Sequence, residues 1–126
     1  MPLCLVNKKH SPTFDSLIEH YKRKFPKIEE DVDEALEAIS KDYRTARHSN
    51  SIPRFNNTAY KYRVKCSDMR RGAQGGYRLI AYYHQQTNTL FPVLIFPKTE
   101  LEDTDFESIS SAIKELQAIL EPDAPK

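Results

Sequence analysis

The sequence has few of the residues that build cross-linked or metal-bound scaffolds. Its 126 residues include no Trp and only two Cys, at positions 4 and 66. Two cysteines so far apart in the chain exclude a disulfide framework and a cysteine-ligated zinc site. We interpret both as reduced, half-buried thiols, and this interpretation predicts a cytoplasmic protein.

Long hydrophobic runs are missing as well. No apolar stretch approaches the roughly 20 residues needed to span a bilayer, so we expect no membrane partner. The three glycines all lie between residues 72 and 76, and no Gly-Lys-Ser/Thr follows them. That excludes a phosphate loop of the nucleotide-binding kind.

The order of the hydrophobic patterns predicts an α+β fold. The predicted elements are a strand at 3–6, helices at 11–25 and 27–43, strands at 59–67, 75–85 and 89–98, and a helix at 104–120. The two helices read as a helical hairpin with Ser11 as N-cap, and the last two strands as an antiparallel hairpin. We therefore expect one domain over 1–126. Its N-terminal strand and helical hairpin pack on a small antiparallel sheet with a C-terminal helix, and 121–126 form a frayed tail.

Charge is strongly segregated although the net charge is only +1. Residues 29–42 carry seven acids and a single base, whereas residues 44–78 carry nine Lys or Arg and a single acid, Asp68. Beyond Lys98 the chain is acidic again. A basic central block of this kind indicates an anionic partner more clearly than the net charge does.

Within that block, cations recur at every second position of one predicted strand. Lys61, Arg63 and Lys65 alternate with apolar or aromatic residues, so the three cations share one face of the strand. Like charges at this spacing repel one another, and folding alone gives no reason for the row. Phosphates of a nucleic acid are an obvious ligand for it. The alternative is a solvated strand face whose charges prevent edge pairing.

The segment after this strand adds further candidates for RNA contacts. Arg70 and Arg71 lie in the glycine-bearing loop, and Arg78 projects from the next strand. Tyr82 belongs to a group of nearby tyrosines that could stack on a base, although the alternative role of such residues is to fill the core of the sheet. His84, at the end of the predicted strand, is interpreted as an incidental surface residue.

A site made of bases alone permits cleavage of RNA by its own 2′-hydroxyl. A lysine among other cations could accept the 2′-OH proton, and arginines could hold the scissile phosphate and offset the charge that builds in the transition state. The basic block offers no carboxylate cluster for magnesium, and no Ser/His/Asp set is indicated. This chemistry requires no cofactor and no metal.

Residues 60–103 resemble the RelE/ParE superfamily of toxins from bacterial toxin–antitoxin systems. The resemblance rests on YKYRVK, then GGYRLIAYY, then VLIFPKTELED, and the long basic loop before GGYR is closest to the HigB-like and RelE-like branch. It covers roughly residues 3–120, because the upstream helical hairpin matches the layout of the family. It implies a RelE-like fold and a ribosome-dependent mRNA endonuclease that inhibits translation and is held inactive by a cognate antitoxin.

The resemblance also implies roles for individual residues. It implies that Lys61 and Arg63 of the YKYR motif are phosphate-binding and acid/base groups, and that Lys65 extends their row. Arg78 of the GGYR motif becomes the main phosphate ligand, and Lys98 adds a further cation after the last strand. The implied partners are the antitoxin, mRNA and the ribosome, with DNA contacted only through the antitoxin.

Two alternatives to the nuclease stay open. A ParE-like protein would bind DNA gyrase without hydrolysing anything, although such proteins generally lack the Lys/Arg constellation. A non-toxic RNA-binding or interaction module is favoured by the C-terminal segment TDFESIS, which offers Phe106 where RelE proteins carry a Tyr or His.

Overall fold

The chain folds as an α+β structure. The computed structural model describes residues 5–6, 11–41, 52, 55, 58–67, 76–97 and 106–120. Its elements in chain order are β1 (Leu5–Val6), α1 (Pro12–Lys22), α2 (Ile28–Lys41), β2 (Ala59–Val64), β3 (Tyr77–His84), β4 (Thr89–Pro97) and α3 (Phe106–Leu120). Every element predicted from the sequence has a counterpart, usually shorter than the pattern that predicted it.

The four strands form one sheet in the order β1-β4-β3-β2. β3 pairs antiparallel with both β2 and β4, and the short β1 adds in parallel to β4. The predicted antiparallel hairpin of the last two strands is therefore confirmed. A 3-10 turn at Gln85–Thr87 joins them, followed by Asn88 in the left-handed region at φ 49°. Asn tolerates this conformation, and its side-chain oxygen accepts a hydrogen bond from the Tyr83 hydroxyl at 2.7 Å.

Apolar stripes hold the helical hairpin on the sheet. Ile28, Val32, Leu36 and Ile39 of α2 are buried, as their 3.6-residue period predicts. In α1 the stripe is confirmed too, but the Ser11 cap is only partly right. Ser11 precedes the helix and its side chain makes no capping hydrogen bond.

The two faces of the sheet are covered differently. The helical hairpin packs on the face that carries Tyr77, whose ring meets the edge of Phe25 at a centroid distance of 5.6 Å. On the opposite face α3 lies near Tyr82, because Gln117 Nε2 donates a hydrogen bond to the Tyr82 hydroxyl at 3.2 Å. Beyond the part covered by α3, this second face carries exposed side chains of β2.

Some sequence predictions fall outside the described residues. These are residues 3–4 of the first predicted strand, residues 42–43 of the second predicted helix, the capping box at Thr104 and the tail 121–126. Among the helices that the structure describes, none is both long enough and apolar enough to cross a bilayer.

Candidate nucleic-acid interface

The predicted alternation along β2 is confirmed. Lys61, Arg63 and Lys65 are exposed, whereas the residues between them are buried. Tyr60, Tyr62 and Val64 belong to the core and turn their side chains to the helical hairpin side. The period of two therefore separates cations from core within six residues of chain.

Strand pairing adds Arg78 to this row. In the β2–β3 register Arg63 lies directly opposite Arg78. The Tyr83 N–H donates to the Thr58 carbonyl at 2.7 Å, so these two opposite residues form a hydrogen-bonded pair. Hydrogen-bonded and non-hydrogen-bonded pairs alternate along antiparallel strands, and Arg63 with Arg78 is therefore a non-hydrogen-bonded pair. Side chains approach most closely at such sites, with Cβ atoms about 4.5–5.5 Å apart. We call Lys61, Arg63, Lys65 and Arg78 the basic face.

The charge of Arg78 is disfavoured by its surroundings. It is half-buried, and its pKa is lowered from the ordinary arginine value, first by burial and second by the charge of Arg63. An arginine stays protonated at any working pH, so the lowered pKa means that the folded protein holds a charge that it disfavours. Nη1 donates to the Tyr77 carbonyl at 3.2 Å, which satisfies one of five donors. An anion bound here would relieve the repulsion.

Ion pairs within the described part of the chain lie elsewhere. Lys22 contacts Glu29 at 2.5 Å and Lys41 contacts Glu37 at 3.2 Å, both on the helical hairpin. No ion pair joins a described carboxylate to the basic face. Within this part of the molecule, the four cations of the face are therefore not held in ion pairs.

A groove runs between α2 and the outer edge of β2. It measures about 210 Å³ and is lined by Asp31, Glu34, Ala35, Ala38, Arg63 and Lys65. The acids stand on the helix and the cations on the strand. The groove marks the boundary between the acidic helix and the basic face.

Sequence reasoning missed Asp31 as a residue of this region. It is only 7% exposed, and its carboxylate accepts hydrogen bonds from the Ser67 N–H at 2.8 Å and from the Ser67 hydroxyl at 2.5 Å. A signal was present, because Asp31 stands three residues after Ile28 and four before Ala35, on the buried side of α2. An acid at such a position needs a partner, which the sequence does not identify.

Two residues on this side of the sheet differ from their predictions. Tyr82 is 7% exposed and its hydroxyl is bound by Gln117, so a base could stack on its ring only if α3 moved. His84 is not on the surface. It is 5% exposed, and its Nδ1 lies 2.9 Å from the Thr87 hydroxyl. Tyr82 is bound by Gln117 of α3 and His84 packs against Phe91 of β4, and strand periodicity reveals neither contact.

Three predicted contact residues, Arg70, Arg71 and Lys98, lie outside the described residues. Of the eight predicted site residues, the structure therefore brings together four as the basic face, buries Tyr82, and leaves these three undescribed. Among the described residues, no group of His, Cys, Asp and Glu could hold a metal ion.

Comparison with known proteins adds no family assignment. No protein-family model matches the chain, and no curated protein matches it significantly. The functional conclusion therefore rests on the basic face and on the motifs of the sequence.

Proposed function

We propose that this chain is the toxin of a type II toxin–antitoxin system and cleaves mRNA at the ribosome in the cytoplasm. The observation that carries the proposal is the Arg63–Arg78 pair, two like charges held face to face without a described acid partner. Such a pair is unfavourable for folding, and a phosphate bound between two guanidinium groups would offset that cost. The RelE-like motifs supply the reaction class.

In the proposed reaction the RNA supplies its own nucleophile. The 2′-oxygen loses its proton and attacks the adjacent phosphorus, and the bond from phosphorus to the 5′-oxygen breaks. The 5′-oxygen leaves as a hydroxyl with a proton taken from water, and a 2′,3′-cyclic phosphate remains. Arg63 and Arg78 hold the phosphate oxygens, because guanidinium groups match their geometry and stay charged. Lys61 in its neutral amine form is our candidate to receive the 2′-OH proton, because an arginine stays protonated. No metal enters these steps.

A cognate antitoxin would be the controlling partner. A basic face of this kind favours an acidic segment, since complementary charge speeds and orients association. Contact with DNA would then arise only through that antitoxin.

A second candidate is an RNA-binding protein that does not cleave. It is favoured by the burial of Tyr82 and His84, which leaves lysines and arginines as the only ionisable groups on the described basic face. Binding needs no proton transfer, so this composition suffices for it.

The deciding experiment is inducible expression of the wild type beside Arg78→Ala, with growth and transcript 5′ ends followed together. Lys114→Ala is the matched control, because it removes one exposed cation from α3. We expect growth arrest with in-frame mRNA cuts for the wild type and for Lys114→Ala, and neither for Arg78→Ala. Arrest without cuts would point to gyrase or another target. No arrest by a folded wild type would exclude the toxin and leave the binding protein.

A further inference from the structure

The loop end of the β2–β3 pair, where residues 65–76 connect the two strands, brings like charges together. Arg63 and Arg78 stand one residue before the last registered pair, Val64 and Tyr77, and Lys65 follows immediately. Like charges directly opposite each other destabilise a strand pair, and the terminal pairs of a sheet separate most readily. Contacts that hold this end from outside the strand pair would therefore offset the repulsion.

Asp31 provides such a contact from the other side of the sheet. Its carboxylate accepts both the N–H and the hydroxyl of Ser67, two residues beyond Lys65. These bonds join α2 to the end of the strand across 36 residues of chain. Hydrogen bonds to an ionised, largely buried group are stronger than bonds between neutral groups.

Two neighbouring contacts strengthen the same end. The Cys66 thiol donates to the Tyr77 hydroxyl at 3.1 Å, and both side chains are buried. The backbone of Gly76 packs so closely on β2 that a Cβ there would lie 2.1 Å from the Val64 carbonyl oxygen. Ser67 itself is exposed, so without Asp31 water would compete for its donors.

We propose that Asp31 is a positioning residue for the basic face. Its carboxylate holds the end of β2 on α2, and this contact keeps Arg63 and Lys65 beside Arg78 against their mutual repulsion. The inference rests on the proposed function, because it assigns Asp31 a part in RNA binding without contact to the RNA.

The first measurement is the Kd for a single-stranded oligonucleotide with 2′-O-methyl riboses, which binds but cannot be cleaved through the 2′-oxygen. We expect Asp31→Ala to raise the Kd about tenfold, since it removes both bonds to the strand end. Ser67→Ala removes only the hydroxyl bond, at an exposed position that does not threaten folding, and should raise the Kd about threefold.

Two conservative variants separate position from charge. Asp31→Asn keeps an oxygen for the Ser67 N–H and offers an amide donor to its hydroxyl, so we expect the Kd to stay within about twofold of the wild type. Glu34→Gln removes the same charge from the same groove without touching Ser67, and should also leave the Kd unchanged.

The second measurement needs no RNA. Amide exchange at Val64 and Tyr77 should be about tenfold faster in Asp31→Ala and unchanged in Glu34→Gln, because only the first variant frees the strand end.

Wild-type Kd and exchange rates in both Asp31→Ala and Ser67→Ala would overturn the inference. An equal loss of affinity in Asp31→Asn, Glu34→Gln and Asp31→Ala would overturn it as well, because the loss would then not depend on the bonds to Ser67. If the wild type does not bind the free oligonucleotide, the exchange rates decide whether Asp31 holds the strand, and the expression experiment decides the proposed function.

Discussion

Arg63 and Arg78 face each other on neighbouring strands, and a folding argument alone would place almost any other pair there. Their proximity lowers the pKa of Arg78, after the larger effect of burial. A base whose pKa is lower in the folded than in the unfolded state destabilises the fold at every pH below its folded pKa. For an arginine that range includes all working conditions.

Arg78→Gln should therefore stabilise the protein slightly while it impairs RNA binding. We expect the free energy of unfolding to rise by about 0.5 kcal/mol, equally at pH of about 5 and about 9, because Arg78 is charged throughout. Urea unfolding measures this, with Lys114→Gln as a control that should change nothing. A loss of stability above about 1 kcal/mol would show that Arg78 stabilises the fold.

Gly76 illustrates a steric requirement at the same end of the sheet. Its backbone approaches β2 so closely that an added Cβ would lie 2.1 Å from the Val64 carbonyl oxygen. We expect Gly76→Ala to lower the free energy of unfolding by about 2 kcal/mol, because the strands must separate locally to admit the methyl group. Ala38→Gly, at an exposed position of α2, is the comparison and should lower the free energy of unfolding by about 1 kcal/mol. An equal or smaller loss for Gly76→Ala would contradict the close packing.

At the scale of elements, α3 decides how much of the sheet face remains open. Ile109, Ile113 and Leu116 bury one side of the helix, and Gln117 reaches Tyr82. The Thr13 hydroxyl of α1 also donates to Glu115 at 2.7 Å, which connects α3 to the helical hairpin. The basic face is what α3 leaves uncovered.

Truncation of α3 side chains should separate its buried from its exposed side. Leu116 is 1% exposed, so Leu116→Ala should lower the free energy of unfolding by about 3 kcal/mol. Ile119 is 41% exposed, so Ile119→Ala should lower it by less than about 1 kcal/mol. Thermal and urea unfolding of the two variants compare them directly. Similar losses for both would mean that α3 packs on the sheet in another orientation.

For the molecule as a whole, the acids and bases are carried by different elements. The exposed carboxylates of α2 lie on the helical hairpin and the cations of the basic face on β2 and β3, and the two groups meet at the groove that Glu34 and Arg63 line. A net charge of +1 thus coexists with a strongly polar charge distribution. Such a distribution orients an anionic partner during its approach.

The salt dependence of RNA binding tests this distribution. If the four cations of the basic face each neutralise one phosphate, log K should fall against log salt with a slope of about −2.8, from about −0.7 per contact for a single strand. Arg63→Gln and Arg78→Gln should each make the slope shallower by about 0.7, and Lys114→Gln should not change it. Equal slopes for all four proteins would place the RNA elsewhere.

The sequence by itself determined the elements and one wall of the candidate site. Periods of 3.6 and 2 residues are local properties, so they predicted α1, α2 and the separation of Lys61, Arg63 and Lys65 from the core of β2. The same local rules did not predict the burial of Tyr82 and His84, because Gln117 of α3 covers the Tyr82 hydroxyl and His84 packs against Tyr82 and against Phe91 of the neighbouring strand.

Only the tertiary structure decided which side chains meet. The β2–β3 register places Arg78 opposite Arg63, and a one-residue shift would have turned it to the other face. The packing of α2 on β2 brings Asp31 to Ser67, two residues that no local pattern connects. Register and helix packing minimise the free energy of the whole chain, and the sequence of one segment specifies its faces but not its neighbours.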